Sequence, residues 1–77
     1  MPAELVTFLA RCLVDDPDAV RVEATERDGA VVIRLHVAPE DRGKVIGRQG
    51  RLIRSLRTVV RASGTRSGER RLLELVE

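Results

Sequence analysis

The chain has 77 residues, of which 43% are hydrophobic and 34% are charged, and its net charge is +2. This length predicts one domain over residues 1–77, with a core near the lower limit for independent folding, and the composition excludes a disordered chain. The absence of a signal-peptide pattern and of an apolar run long enough for a membrane span indicates a cytoplasmic protein.

The charges are distributed unevenly along the chain. Residues 1–41 carry four arginines and nine acidic groups, a sum of −5, whereas residues 42–77 carry ten basic and three acidic groups, a sum of +7. Thirteen of the fourteen cations are arginines, which suit bidentate contact with phosphate. The second half is therefore predicted to contain a binding site for a polyanion.

The first predicted element is an amphipathic helix over residues 3–14. Its apolar residues at helical spacing, all expected in the core, are Leu5, Phe8, Leu9, Cys12 and Leu13. Phe8 is the sole aromatic residue, and Cys12, the sole cysteine, is expected to be a buried structural thiol. The acidic residues around Pro17, at 15–18, end the helix and are interpreted as a solvated turn rather than a metal site.

Two strands with alternating apolar and polar residues follow, at 19–27 and 30–37. Asp28-Gly29 between them is a signal for a type I′ hairpin. In the second strand Val31, Ile33, Leu35 and Val37 alternate with Val32, Arg34 and His36, so we expect one buried and one exposed face. The outer face of the sheet is predicted to carry Arg21, Glu23, Arg34 and His36, and His36 is interpreted as a surface residue.

The rest of the chain predicts two helices and a last strand. A short helix over 40–46 follows Pro39, a longer one covers 51–63, a flexible loop covers 63–68 and the strand covers 70–76. In the longer helix the predicted buried stripe is Leu52, Ile53, Leu56, Val59 and Val60, and the opposite side carries Arg51, Arg54, Arg57 and Arg61. The element order is therefore α-β-β-α-α-β.

Gly47 and Gly50 enclose Arg48-Gln49 between the two helices. Glycine permits positive φ and a close approach of another backbone. Because a basic side chain then lies beside the N-terminus of the next helix, the expected second backbone is a phosphodiester. Arg48 and Arg51 are the foremost candidates for phosphate contact.

The segment Ile46-Gly47-Arg48-Gln49-Gly50-Arg51-Leu52-Ile53 resembles the I-G-x-x-G-x-x-I signature of the KH domain, whose GxxG loop clamps about four nucleotides. Over its whole length the chain is similar to the small bacterial single-KH-domain RNA-binding proteins, the KH-domain protein A family. The resemblance implies an α+β, type II KH fold, with a three-stranded mixed sheet and helices on one face. It also implies a role as a post-transcriptional regulator or RNA chaperone.

In that family an aliphatic groove beside the GxxG loop, at 47–50 here, holds single-stranded RNA, and the loop before the last strand borders the groove. Arg66 therefore joins the residues that could line its far wall. The candidate RNA-binding residues are Lys44, Val45, Ile46, Gly47, Arg48, Gln49, Gly50, Arg51, Ile53, Arg54, Arg70 and Arg71; Leu52 is a further candidate for the floor. The resemblance also implies a homodimer, or a heterodimer with a larger KH-containing protein, and we expect helix 40–46 and the neighbouring strand faces to form the contact.

Alternative functions remain open at this point. A helix-turn-helix DNA reader would use the helices at 40–63, and an adaptor subunit would bind RNA only together with a partner. Stacking platforms such as the RRM are excluded because surface aromatic residues are lacking. A P-loop would need glycine at Ala38 and a hydroxyl residue at Val45, and a dinucleotide fingerprint would need glycine at Val45, so nucleotide-binding enzymes are not expected. We therefore expect no enzyme, no catalytic residue and no cofactor. Because the acidic turn at 15–18 is interpreted as solvated, we also expect no metal.

Overall fold

The computed structural model of the protein describes residues 2–76. Its helices and strands follow the predicted order, and their bounds are α1 Pro2–Leu13, β1 Arg21–Arg27, β2 Ala30–His36, α2 Arg42–Ile46, α3 Arg51–Ser63 and β3 Arg70–Leu75. Short 3₁₀ turns precede β1, at Pro17–Ala19, and α2, at Pro39–Asp41. The predicted order is confirmed, and the predicted bounds of α3 agree with the observed ones.

The three strands form one mixed sheet in the order β1-β2-β3. β1 pairs with β2 in antiparallel orientation, with Glu23 opposite Arg34, and β2 pairs with β3 in parallel orientation, with Arg34 opposite Glu74. The hairpin between β1 and β2 turns at Asp28 and Gly29, which have φ values of 54° and 78°, as a type I′ turn requires. The parallel pair confirms the type II arrangement.

The hydrophobic core lies between one face of the sheet and the helices. It draws on every helix and strand, and its most buried large side chains are Val6, Ile33, Leu35, Val45 and Val60. These side chains connect α1, β2, α2 and α3, so the helices that flank the GxxG turn share one core with the sheet. The core therefore fixes the position of the turn.

The predicted apolar stripe of α1 is wrong for Leu5, Phe8 and Cys12, whereas the half-buried Leu9 packs against the core as predicted. Phe8 is 64% exposed, Leu5 is 41% exposed and Cys12 is exposed, whereas Val6 and Ala10 are buried. Val6 and Ala10 also lie four residues apart, so they define an alternative helical stripe. Small side chains let the helix lie close to the sheet, and the bulkier Phe8 then points to solvent.

The longer helix α3 buries a narrower stripe than predicted. Ile53, Leu56 and Val60 are buried, but Val59 is 44% exposed. With 3.6 residues per turn, Val59 lies to one side of the line through the three buried residues. It is therefore part of the surface of α3 rather than of the core.

The outer face of the sheet carries a network of charges. Arg34 Nε lies 3.0 Å from Glu74 Oε1, and His36 Nε2 lies 2.8 Å from Glu23 Oε1. The hydrogen bond with His36, followed by its electrostatic attraction, lowers the pKa of Glu23. Val32 occupies the predicted exposed face but is only 3% exposed, because Thr25 and Leu72 flank it in register.

Asp41 is a buried carboxylate that connects two distant turns. It is 2% exposed, and its two oxygens accept hydrogen bonds from the backbone N–H groups of Asp15 and Asp16, at 3.3 and 3.1 Å. A buried carboxylate is stable only where such donors satisfy it. Asp41 therefore holds the acidic turn after α1 against the start of α2.

Candidate nucleic-acid interface

The turn between α2 and α3 has an unusual backbone conformation. Gly47 ends α2 with φ 78° and ψ 174°, and Gln49 and Gly50 follow in the left-handed region, with φ values of 57° and 73°. The N–H of Gly50 donates to the carbonyl oxygen of Gly47 at 3.1 Å and closes the turn. Residues 47–50 therefore separate α2 from α3 by a single tight turn.

The two glycines serve different purposes in this turn. A Cβ on Gly47 would lie 2.6 Å from Cβ and 3.0 Å from N of Leu52, whereas a Cβ on Gly50 would have no atom within 4 Å. Gly47 thus allows the backbone of the turn to pack against the first turn of α3. Gly50 is required only for its positive φ.

The tip of the turn presents polar groups to solvent. The side chains of Arg48 and Gln49 are exposed, and Arg54 Nη2 donates a hydrogen bond to the carbonyl oxygen of Gln49 at 3.0 Å. Arg54, in the first helical turn of α3, therefore stabilises the GxxG turn. Among residues 2–76, no side chain caps the N-terminus of α3. The positive end of its dipole is accordingly available to an anion beside Arg48.

The exposed side of α3 carries cations without acidic partners. Arg51, Arg57 and Arg61 are exposed, and within residues 2–76 they form no ion pair, nor does Arg48. By contrast, Arg34 on the sheet is paired with carboxylates. The positive charges of these four arginines are thus left unneutralised beside the GxxG turn and along α3, where they attract a polyanion.

Two predicted ligand contacts lie in the core instead. Val45 is 0% exposed and Ile53 is 6% exposed, because α2 and α3 direct these residues toward the sheet. Both side chains belong to the core that supports the GxxG turn, and their contact with RNA stays a prediction. Ile46, 36% exposed, and the half-buried Leu52 remain as its apolar surface.

The basic residues that the resemblance assigned to the far wall of the groove differ from one another. Arg66 and Arg70 are exposed, whereas the side chain of Arg71 is 18% exposed. Arg71 Nη1 donates to the carbonyl oxygen and to Oγ of Ser63, at 2.8 and 3.0 Å, and Nε bonds to Glu69. Arg71 thereby satisfies a backbone carbonyl at the C-terminal end of α3 and connects this helix to β3.

Lys44 lies three positions before Gly47 and is exposed, but it is paired. Its Nζ donates to Oδ2 of Asp15, and this hydrogen bond, with the nearby charges of Asp15 and Asp41, raises the pKa of the ammonium. The role of neither aspartate was predicted from the sequence. No local pattern could show it, because the partners lie 29 positions apart.

The fold and the turn together define a type II KH domain. The family model described as "KhpA/KhpB, KH domain" matches residues 3–75. The chain belongs to this family, as the sequence resemblance indicated.

Curated relatives match over nearly their whole length. The chain is 47% identical to "RNA-binding protein KhpA" of Aquifex aeolicus over 74 residues, which are 96% of this chain and 94% of the relative. It is 45% identical over 73 residues to the protein of that name from Caldanaerobacter subterraneus, with 95% and 97% covered. It is 44% identical over 77 residues to the protein of that name from Treponema pallidum, and these residues are 100% of this chain and 96% of the relative.

The names of these relatives describe binding proteins, in agreement with the prediction that the chain is not an enzyme. Within residues 2–76, no helix is long and apolar enough to cross a membrane.

Proposed function

We propose that the protein binds single-stranded RNA in the cytoplasm and grips about four nucleotides at the GxxG turn. A phosphodiester would pass over Gly47, contact Arg48 and Arg51, and accept hydrogen bonds at the open N-terminus of α3. Ile46 and Leu52 would contact the bases. Such an activity suits a post-transcriptional regulator or an RNA chaperone.

The observation that carries this proposal is the combination of the turn with its unpaired arginines. Positive φ at Gly47 and Gly50 gives the turn its tight conformation at the start of α3, and no carboxylate within residues 2–76 neutralises Arg48 or Arg51. The relatives are named RNA-binding proteins, in agreement with this proposal.

The test is the double variant Arg48→Asp with Gln49→Asp, measured by fluorescence anisotropy with a labelled single-stranded RNA. We expect binding to be lost and the thermal midpoint to change little, because both side chains are exposed and aspartate tolerates the left-handed conformation at position 49. Arg21→Asp with Thr25→Asp is the matched control: it makes the same change of charge on the exposed face of β1 and should leave binding nearly intact.

Two results would contradict the proposal. Undiminished binding of single-stranded RNA by the double variant would show that the GxxG turn is not the site. A clear preference of the parent protein for duplex DNA over single-stranded RNA would instead favour a helix-turn-helix mode of binding, in which α3 reads the major groove.

A second candidate is the adaptor role, in which the protein binds RNA together with a second copy or a larger KH-containing protein. Exposed apolar side chains favour it: Phe8 and Leu5 on α1, Val59 on α3 and Ile46 on α2. The region 40–46 expected from the sequence contributes only Ile46 to this set, so α1 and α3 are the better surfaces to test. One small site would gain affinity from a second one by avidity.

Sedimentation of the parent and of Phe8→Ser tests this candidate. We expect the parent to associate, alone or with a co-purified larger KH protein, and Phe8→Ser to weaken that association. A parent that stays monomeric at high concentration, recovers no partner and binds RNA fully would exclude the adaptor role.

A further inference from the structure

Lys44 differs from the other cations near the GxxG turn in having an internal anionic partner. Its ammonium donates to Asp15 Oδ2, whereas Arg48 and Arg51 have no acidic partner within residues 2–76. The side chains of Lys44 and Asp15 are 45% and 79% exposed, so an incoming ligand can reach both. One cation of the site is therefore neutralised before any ligand arrives.

Asp15 keeps its position without help from Lys44. Its backbone N–H and that of Asp16 bind the carboxylate of Asp41, which is 2% exposed and lies at the start of α2. If the side chain of Lys44 turns toward a ligand, these hydrogen bonds remain. The carboxylate of Asp15 then stays within reach of Lys44 and can accept a hydrogen bond from the ammonium again when the ligand leaves.

We propose that Asp15 competes with an RNA phosphate for Lys44 and so limits the affinity of the GxxG site, an inference that rests on the proposed RNA-binding function. A carboxylate and a phosphodiester are both oxyanions that accept hydrogen bonds from an ammonium. Lys44 can contact a phosphate only by releasing Asp15, and one ion pair then replaces another.

This exchange has a consequence for the salt dependence of binding. A free cation that meets a phosphate releases a counterion from the nucleic acid and steepens the salt dependence. When Lys44 leaves Asp15, the freed carboxylate keeps its negative charge near the RNA strand, and this repulsion offsets the gain in affinity from the new phosphate contact. Lys44 and Asp15 together therefore add little to the affinity of the parent protein, and Arg48 and Arg51 provide most of the contact with the RNA backbone.

Four variants test the competition: Asp15→Asn, Lys44→Ala, the two combined, and Asp18→Asn as a matched control. Asp18 belongs to the same acidic turn and gives the same change of charge, but it does not contact Lys44. Asparagine at position 15 has nearly the shape of aspartate and keeps the backbone N–H that binds Asp41. Affinity for one labelled single-stranded RNA is measured over a series of salt concentrations, with the thermal midpoint as a check of folding.

We expect Asp15→Asn to bind about two- to fivefold more tightly, the range that an exposed ion pair contributes. Its plot of log K against log salt should steepen by about 0.7, the value for one further phosphate contact on a single strand. Asp18→Asn should give a smaller gain without that change of slope. Lys44→Ala should bind somewhat more weakly than the parent, because the carboxylate of Asp15 then lies unpaired near the RNA, and the combined variant should lose the gain of Asp15→Asn.

Equal gains in Asp15→Asn and Asp18→Asn would show a general effect of charge and overturn the proposal. A gain that survives in the combined variant, or an affinity of Asp15→Asn equal to that of the parent, would overturn it too. These results differ from failure of the proposed function, which would appear as lack of RNA binding by the parent or as full binding by Arg48→Asp with Gln49→Asp.

Discussion

Replacing Gly47 by alanine should destabilise the protein far more than the same replacement at Gly50, although the GxxG motif treats the two glycines alike. Gly47 has φ 78° and ψ 174°, a region that is open essentially to glycine alone, and its Cβ would meet the backbone of Leu52. Gly50 has φ 73° and ψ 13°, in the left-handed helical region, and its Cβ would meet nothing.

The difference can be estimated from these two environments. The backbone conformation at Gly47 costs another residue about 1–3 kcal/mol, and the contact with Leu52 adds to this because the atoms involved cannot swing away. We expect a total of about 3 kcal/mol for Gly47→Ala and about 1 kcal/mol for Gly50→Ala. In a domain of this size these values correspond to losses of about 12–24 °C and 4–8 °C in the thermal midpoint.

Circular dichroism during thermal and urea unfolding measures both changes. Gly43→Ala serves as the control, because Gly43 lies inside α2 with free space around its Cβ, and alanine there should be neutral or stabilising by up to about 1 kcal/mol. Equal losses at positions 47 and 50, or a Gly47→Ala variant as stable as Gly43→Ala, would refute the reasoning from the turn geometry.

Three further predictions concern binding, packing and pH. With about three phosphates contacted, log K for single-stranded RNA should fall with log salt at a slope of about −2 in a titration, and a slope near zero would contradict phosphate contact. Phe8→Ser should leave unfolding by urea nearly unchanged, whereas Val6→Ala should cost about 2 kcal/mol, and equal effects would contradict the observed burial. His36→Ala should raise the pKa of Glu23, followed by NMR, toward its ordinary value of 4.5. Because the pKa of Glu23 is lower in the folded than in the unfolded protein, the stability that this pair adds is present above pH 4.5 and disappears as the pH falls through the folded pKa. A difference in stability between parent and variant that persists below this range would argue against the pair.

The sequence predicted the strands, the hairpin and the helices well, because each depends on local patterns. Alternation marks β1 and β2, Asp28-Gly29 determines the turn between them, and the two glycines of the GxxG motif separate α2 from α3. The type II topology also followed, since a helical connection between β2 and β3 makes them parallel.

The sequence did not predict which face of α1 is buried. The helix offers overlapping apolar stripes, one through Phe8 and another through Val6 and Ala10. The second packs on the sheet because its small side chains fit the space beneath α1. That space is defined by side chains from other parts of the chain, so local hydrophobicity alone favoured the bulkier stripe.

Within the candidate site, exposure was easier to predict than contact. The exposed positions of Arg51 and Arg54 agree with the helical pattern and that of Arg48 with the predicted turn, whereas the pairing of Lys44 with Asp15 depends on the folded chain. The burial of Val45 and Ile53 shows that aliphatic residues beside a GxxG turn need not face a ligand. Their part in RNA binding, like that of the arginines, stays a prediction.

The parallel pairing of β2 with β3 has a consequence for how the domain folds. Arg34 and Glu74 are 40 positions apart, and the whole connection through α2, the GxxG turn and α3 lies between them. The β1–β2 hairpin closes over two residues and can form early, but the sheet is completed only when this long connection has folded back. We therefore expect Gly47→Ala to slow refolding as well as to speed unfolding, measurable by stopped-flow. Until β3 has paired, one edge of β2, with Ile33 and Leu35 along it, has unpaired backbone groups. During this time β2 can pair with a strand of another chain.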